Sequence, residues 1–240
     1  MDIRSRIGVD IGEKLSVEEA VRWAAENEVR YIDCRIDLPP NALESFEEAR
    51  CAPIREACAA NNIHLGLHSL SAVNIAEVSP FLRDAADAYL TAYIDAAKRL
   101  DAGWVEVHAG YHFTSDVDLR MTAGLERLKR ATAYAETQGV QLLLENLNWE
   151  PEHAEVNYLA HTIEECRYYF DAIQSPALAW VFTINHATLV PEGIAGFLDG
   201  MPTERMAVVR LADNHGKYED HMFPGESIID FTDMFTRIEA

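Results

Sequence analysis

Two periods of apolar and polar residues run through this chain. Short apolar runs fall at residues 5–11, 31–36, 63–68, 104–110, 141–146, 178–186 and 206–212, and each reads as a strand. Between them lie longer stretches whose apolar positions recur at helical spacing. Val17, Ala20, Val21, Ala24 and Ala25 share one such face, and Ser16 followed by Glu19 forms a capping box that starts the helix. Further helices are predicted over 44–60, 79–100, 119–138, from Thr162, over 191–201, and over 231–240. The pair Pro39 and Pro40, the pair Asn61 and Asn62, and Gly139 punctuate these elements. Two polar stretches, 147–161 and 213–229, interrupt the rhythm, and loops of that length in a compact domain carry function or disorder.

Strands alternating with helices imply a parallel sheet with helices packed outside it. Ligand-type side chains stand at the ends of at least five of the runs, whereas an open doubly wound sheet gathers them at one switch point. Neither a dinucleotide-binding nor a phosphate-loop glycine motif is present. The pattern therefore predicts an α/β fold, a (β/α)8 TIM-type barrel, as one domain over residues 1–240. Seven strands are legible, so the eighth β/α unit is expected to be lacking, with the C-terminus incomplete or the strand supplied by a neighbouring chain. An open barrel exposes two sheet edges, which predicts a homo-oligomer or a partner chain completing the barrel.

Composition narrows the partners. The formal net charge is −20, from 40 acidic and 20 basic residues, which argues against nucleic acid and leaves a small-molecule substrate. No apolar run of membrane-spanning length and no signal-like N-terminus is present, so no membrane partner is expected. The four cysteines, Cys34, Cys51, Cys58 and Cys166, form no paired motif and read as free thiols of a cytoplasmic protein.

The chemistry concentrates where the apolar runs stop. The stretch WVEVHAG (104–110) delivers His108, QLLLEN (141–146) delivers Glu145, and IHLGLHS (63–69) delivers His68. Strand parity puts Glu106 on the same face as His108, one layer deeper, where it can orient a ligand histidine. The same parity puts Gly66 below His68, Val181 below Thr183 and Val208 below Arg210. Two imidazoles and a carboxylate at one rim suit a divalent ion such as Zn²⁺ or Mn²⁺. His186, His215 and His221 are further candidates, with Glu219 and Asp220 beside the last. Trp149 and Tyr111 follow strand ends and are candidate walls for a ring substrate, while Trp104 begins a strand and is expected in the core at the opposite end. Asp33 and Arg35, at the end of the second strand, are expected to reach the mouth.

His68, VHAG (107–110), LLEN (143–146), NHA (185–187), DHMFPG (220–225) and IDF (229–231), in that order and spacing, resemble the xylose isomerase-like barrel superfamily. That superfamily includes sugar isomerases and epimerases, dehydratases of cyclic keto-acids and DNA-repair endonucleases. The resemblance implies a divalent metal (Mn, Zn, Co or Mg) and proton transfer beside a carbonyl or hydroxyl. Its isomerases hold their metal with Glu, Asp, His and Glu on strands five to eight. Here the first falls on Glu145, the second on Thr183 and the third on Arg210, while the fourth lies beyond residue 240.

The ligands implied for a metal are then Glu145, His186 and His221, with His68 and His108 on the other side. Arg210 replaces a ligand with a guanidinium, which can pair with Glu145 or clamp a substrate oxygen. The expected function is an isomerase or epimerase of a small sugar-like carbonyl compound, with Glu145, His108 and Arg210 catalytic. His68, Trp149, Tyr111 and Arg35 are expected to bind the substrate. The alternatives are a lyase or dehydratase on a related substrate, and a non-catalytic barrel subunit. The acidic surface opposes the nuclease.

Overall fold

The computed structural model describes residues 3–113 and 115–239. After a 3-10 turn at Ile3–Arg6 the chain runs β1 (Gly8–Gly12), α1 (Val17–Glu26), β2 (Tyr31–Cys34), α2 (Glu48–Asn61), β3 (His64–His68), α3 (Pro80–Leu100) and β4 (Trp104–Val107). It continues with β5 (Tyr111–His112), α4 (Val117–Gln138), β6 (Gln141–Glu145), β7 (Asn157–Tyr158), α5 (Ile163–Ala172) and β8 (Leu178–Thr183). The last elements are α6 (Ile184–Ala187), α7 (Gly193–Gly200), β9 (Met206–Arg210) and α8 (Phe231–Ile238). Ala240, at the end of the helix anticipated there, lies outside the described residues.

Seven strands form one parallel sheet in the order β1-β2-β3-β4-β6-β8-β9. The sheet curls into an open barrel, an α/β fold that corresponds to a TIM barrel lacking one unit. Each crossover is long and mostly helical, as parallel neighbours require. β1 and β9 end the sheet without pairing to each other, and they are its most exposed strands. No described helix is long and apolar enough to cross a membrane.

Alternation along the strands divides the interior in two. Ile32, Leu65, Leu67, Val105, Val107, Leu142, Leu144, Trp180 and Phe182 point outward and join the apolar faces of the helices in the main core. Ala20, Val21 and Ala24 of α1 and Leu90, Ile94 and Ala97 of α3 meet them there. Truncating one of the large side chains here, such as Phe182→Ala, is expected to cost about 3–5 kcal/mol. The inward positions form a second, much smaller cluster of Leu143, Ala179 and Val181, with Trp104 and Val208 packed against it. Everything else pointing inward is glycine, polar or charged, and that lining is where the chemistry lies.

Several boundaries differ from the sequence reading for physical reasons. The first apolar run yields a 3-10 turn and then an edge strand, because only one neighbour is there to pair with it. The run at 178–186 is strand only to Thr183, after which α6 carries Asn185 and His186 on one helical turn. The polar stretch at 147–161 holds β7, which pairs antiparallel with β5 through Tyr111 and Tyr158. Two-residue strands carry too little periodicity to be read from sequence.

Candidate active site

Three strand ends meet inside the barrel. His68 is the last residue of β3, His108 follows β4 directly, and Glu145 is the last residue of β6. The register pairs Gly66 with Trp104 and Glu106 with Leu143, so these side chains climb the inner wall in steps. Gly66 is needed here because any Cβ would collide with the Asp33 carboxylate and the Trp104 indole. The indole Nε1 donates to Asp33 Oδ1 at 2.8 Å. Trp104, anticipated in the core at the far end, thus packs on the lumen cluster and also lines the cavity.

His68 Nε2 lies 3.3 Å from His108 Nε2 and 3.2 Å from Glu106 Oε1, and His108 Nε2 lies 3.1 Å from Glu145 Oε2. All four side chains are buried. Glu145 Oε1 accepts a 2.5 Å hydrogen bond from Thr183 Oγ1 and lies 3.5 Å from His186 Nδ1. Burial pushes the Glu145 carboxyl up, but His186 and His108 pull harder and hold it well below the usual carboxylate range.

His186 has the complementary environment. Burial favours its neutral form, yet Glu145 and Glu219 outweigh burial and raise it to about 9. Its Nδ1 lies 2.9 Å from the Asn146 carbonyl and its Nε2 lies 3.1 Å from Glu219 Oε1. Protonated, the ring donates to both. Asn146 also ties the ends of β6 and β8 together, accepting from Thr183 N at 2.9 Å and donating to Thr183 O at 3.0 Å.

Arg210, on β9, does not pair with Glu145. Its Nη1 donates to Glu106 Oε2 at 2.7 Å and to Asp33 Oδ2 at 3.1 Å, and its Nη2 contacts Asp10 Oδ2 on β1. The reason is register: Arg210 lies beside Thr183, across the open gap from β1, while Glu145 is one strand further along. One guanidinium cannot fully compensate three carboxylates, of which Asp33 and Glu106 are buried and Asp10 is partly open to solvent. Burial raises Glu106 to about 8 despite Arg210, and it raises Asp33 as well. Burial also raises Asp10, but His68 and Arg210 outweigh it and leave that carboxyl low.

The anticipated set of Glu145, His186 and His221 is split between two groups. His221 Nε2 lies 2.7 Å from Glu219 Oε1, so the second group is His186, Glu219 and His221, while Glu145 belongs with His68, Glu106 and His108. A cavity of about 770 Å³ connects them and is lined by His68, His108, Glu145, His186, Glu219, His221, Arg35 and Arg210. Two aromatic candidates do not reach it. Trp149 stacks on His161 at 4.6 Å, and Tyr111 meets Tyr158 edge-on at 6.4 Å. Tyr158 lines the cavity in their place. The pattern reading gave no role to Asp10, although a carboxylate inside an apolar edge run was the available signal. Glu219 was seen only as a neighbour of His221, because its approach to His186 depends on how the 213–229 loop folds back.

Residues 21–240 match the xylose isomerase-like TIM barrel family. The chain belongs to that family. Solved structures repeat the fold at low identity. A D-tagatose 3-epimerase-like protein superposes with a TM-score of 0.80 at 20% identity, covering 97% of this chain and 86% of its own. A D-psicose 3-epimerase determined in the presence of D-fructose gives 0.79 at 14%, covering 97% and 80%. A 3-keto-D-glucoside 4-epimerase from E. coli gives 0.73 at 13%, covering 97% and 86%. No curated relative matches the sequence.

A divalent ion at the ligand positions usual for isomerases of this xylose isomerase-like family does not fit this chain. Thr183 spends its hydroxyl on Glu145, and Arg210 brings a positive charge. The group of His68, His108 and Glu145 does fit one. Tetrahedral ligands at usual zinc distances stand roughly 3.4 Å apart, close to the 3.3 Å from His68 to His108 and the 3.1 Å from His108 to Glu145, and all the ligand atoms lie within 4.8 Å of one another. Glu106 Oε1, buried and without a hydrogen-bond partner, faces the same point.

Proposed function

We propose that this barrel is a sugar isomerase or epimerase that moves a proton on the carbon beside a carbonyl group. The observation that carries the reading is the surroundings of Glu145, an ionised carboxylate in a buried cavity. It lies 3.1 Å from His108 and 3.5 Å from a protonated His186. A base and an acid whose environments push their proton affinities apart are what such a step needs. The sugar epimerase folds support the substrate class.

Glu145 Oε2 takes the proton from carbon. Thr183 holds the other carboxylate oxygen, so the lone pair that reacts is fixed in direction. Protonated His186 supplies positive charge beside the developing oxyanion, its two N–H groups being held by Glu219 and the Asn146 carbonyl. His68, His108 and Glu145 would hold a divalent ion, which when bound supplies positive charge for a sugar carbonyl or hydroxyl oxygen. Arg210 contributes by keeping Asp10, Asp33 and Glu106 tolerable beneath the site. The cavity volume falls within the roughly 300–1,000 Å³ of small-molecule sites. The surplus of acidic residues suits a small molecule better than nucleic acid.

The test is solvent exchange. Incubation with D-fructose, D-tagatose or D-ribulose in D2O, followed by NMR, is expected to show deuterium at the carbon beside the carbonyl. Glu145→Gln is expected to lower the rate by roughly 10²–10⁴. A full panel of ketoses and keto-acids without exchange would defeat the reading.

A further inference from the structure

We propose that the substrate of this site is a sugar acid, its single carboxylate held by Arg35. The inference rests on the isomerase or epimerase reading and adds the charge of the substrate to it.

Three guanidinium groups line the cavity: Arg6, Arg35 and Arg210. Arg6 is paired with Glu239 at 2.7 Å, and Arg210 is held by Asp10, Asp33 and Glu106. Among the described residues Arg35 has no carboxylate within ion-pairing distance, and its Nε is buried without a hydrogen-bond partner. The acid nearest in sequence is unavailable to it. Asp37 accepts from Tyr89 Oη and from Tyr93 Oη, both at 2.6 Å.

Arg35 is also well placed. It follows β2 directly, and Cys34 pairs with Leu67, so the next step along the ladder sets Arg35 beside His68. Its own N–H donates to Gly12 O at 2.9 Å, and Ile36 N donates to Tyr93 Oη at 3.3 Å. The backbone is thus pinned on both sides, which lowers the ordering cost of a contact made by this side chain. A buried, unpaired guanidinium nitrogen calls for an acceptor, and an anion satisfies both the hydrogen bond and the charge.

The rest of the cavity limits that anion to one charge. Carboxylates already crowd that lining, where Glu145, Glu219 and Asp10 all face the cavity. A phosphate ester would bring close to two negative charges among them. A monocarboxylate matches the single unpaired guanidinium, and its two oxygens fit the guanidinium fork.

The experiment compares matched pairs by calorimetric titration: D-fructose with D-fructuronate, and D-tagatose with D-tagaturonate. D-fructose 6-phosphate is added as the phosphate probe, and the same compounds are followed for deuterium exchange. The wild-type chain is expected to bind each uronate roughly 10- to 100-fold more tightly than its neutral partner. Arg35→Gln is expected to lose that difference while keeping the wild-type melting temperature, since the guanidinium makes no hydrogen bond that folding needs. Equal or better binding and exchange of the neutral ketoses would overturn the inference and leave the isomerase reading standing. Tighter binding of the phosphate ester, or a uronate preference retained in Arg35→Gln, would also overturn it. Failure of every compound to bind or exchange would remove both the inference and the reading beneath it.

Discussion

Glu145 and Glu106 sit on adjacent strands of one lumen, both almost wholly withdrawn from solvent, and they reach opposite protonation preferences. Glu145 is held well below the ordinary carboxylate range, while Glu106 is pushed up to about 8. Burial works the same way on both, so the neighbours decide. Glu145 has the Thr183 hydroxyl and two imidazoles close by, His108 and His186, the latter shared with Glu219. Glu106 touches a full guanidinium at 2.7 Å but shares it with Asp33 and Asp10. A buried acid is ionised only as far as the cations and donors around it outweigh the acids that share them.

The largest effect should come from removing the shared cation. Arg210→Met leaves three acids facing one another and is expected to cost about 3–5 kcal/mol in urea unfolding at pH 7. The sign of the pH dependence follows from Glu106, whose folded value is already raised above its unfolded one. The native state then binds more protons than the unfolded chain, and stability falls as pH rises from the unfolded value toward about 8. The variant raises these acids further and should lose stability more steeply over that window. An equal loss at pH 5 and pH 8 would show that the guanidinium acts by packing. Adding Glu106→Gln and Asp33→Asn is expected to recover part of the loss.

A middle-sized effect should follow from Thr183→Ala, which takes one donor from Glu145. The lost hydrogen bond to a charged group is worth about 1.5–3 kcal/mol. Exchange activity should fall with it, and more at low pH than at high pH, because the carboxylate becomes easier to protonate. An unchanged pH profile would show that the hydroxyl does not tune the base.

The smallest effect serves as the control, at a buried histidine outside both groups. Burial lowers His161, but Glu165, 3.0 Å away, and the Tyr158 carbonyl raise it net above its usual value. Its ion pair stabilises the fold fully below the unfolded histidine value and is lost as pH rises through the raised one. His161→Gln should therefore cost more at pH 6, where the ion pair is lost, than at pH 9, where only its packing on Trp149 is lost. A larger cost at pH 9 would reverse the assigned sign.

Much of this was legible in the sequence, and the gaps have physical causes. Strand endings gave His68, His108 and Glu145, because an apolar run that stops at a ligand-type side chain is a local signal. Parity alone placed Glu106 on the same face as His108. The partner of Arg210 was not legible: pairing it with Asp10 and Asp33 needs the curl of the sheet, which brings β9 near β1 across a gap. Nor was the division of the remaining histidines into two groups, since Glu219 reaches His186 only through the path of a long loop. Trp149 and Tyr111 were placed by their position after strand ends, yet stacking on His161 and pairing against Tyr158 draw them away from the cavity.

The central claim is that His68, His108 and Glu145 form the working centre and can hold a divalent ion there. The most direct measurement is metal retention. Chelator-stripped protein is dialysed against limiting Mn²⁺ or Zn²⁺, and its metal content is compared with that of His108→Ala and His221→Ala. About one tightly held equivalent per chain, lost in His108→Ala and kept in His221→Ala, is the predicted result. Metal kept in His108→Ala and lost in His221→Ala, or no metal held by the wild-type chain, would contradict it.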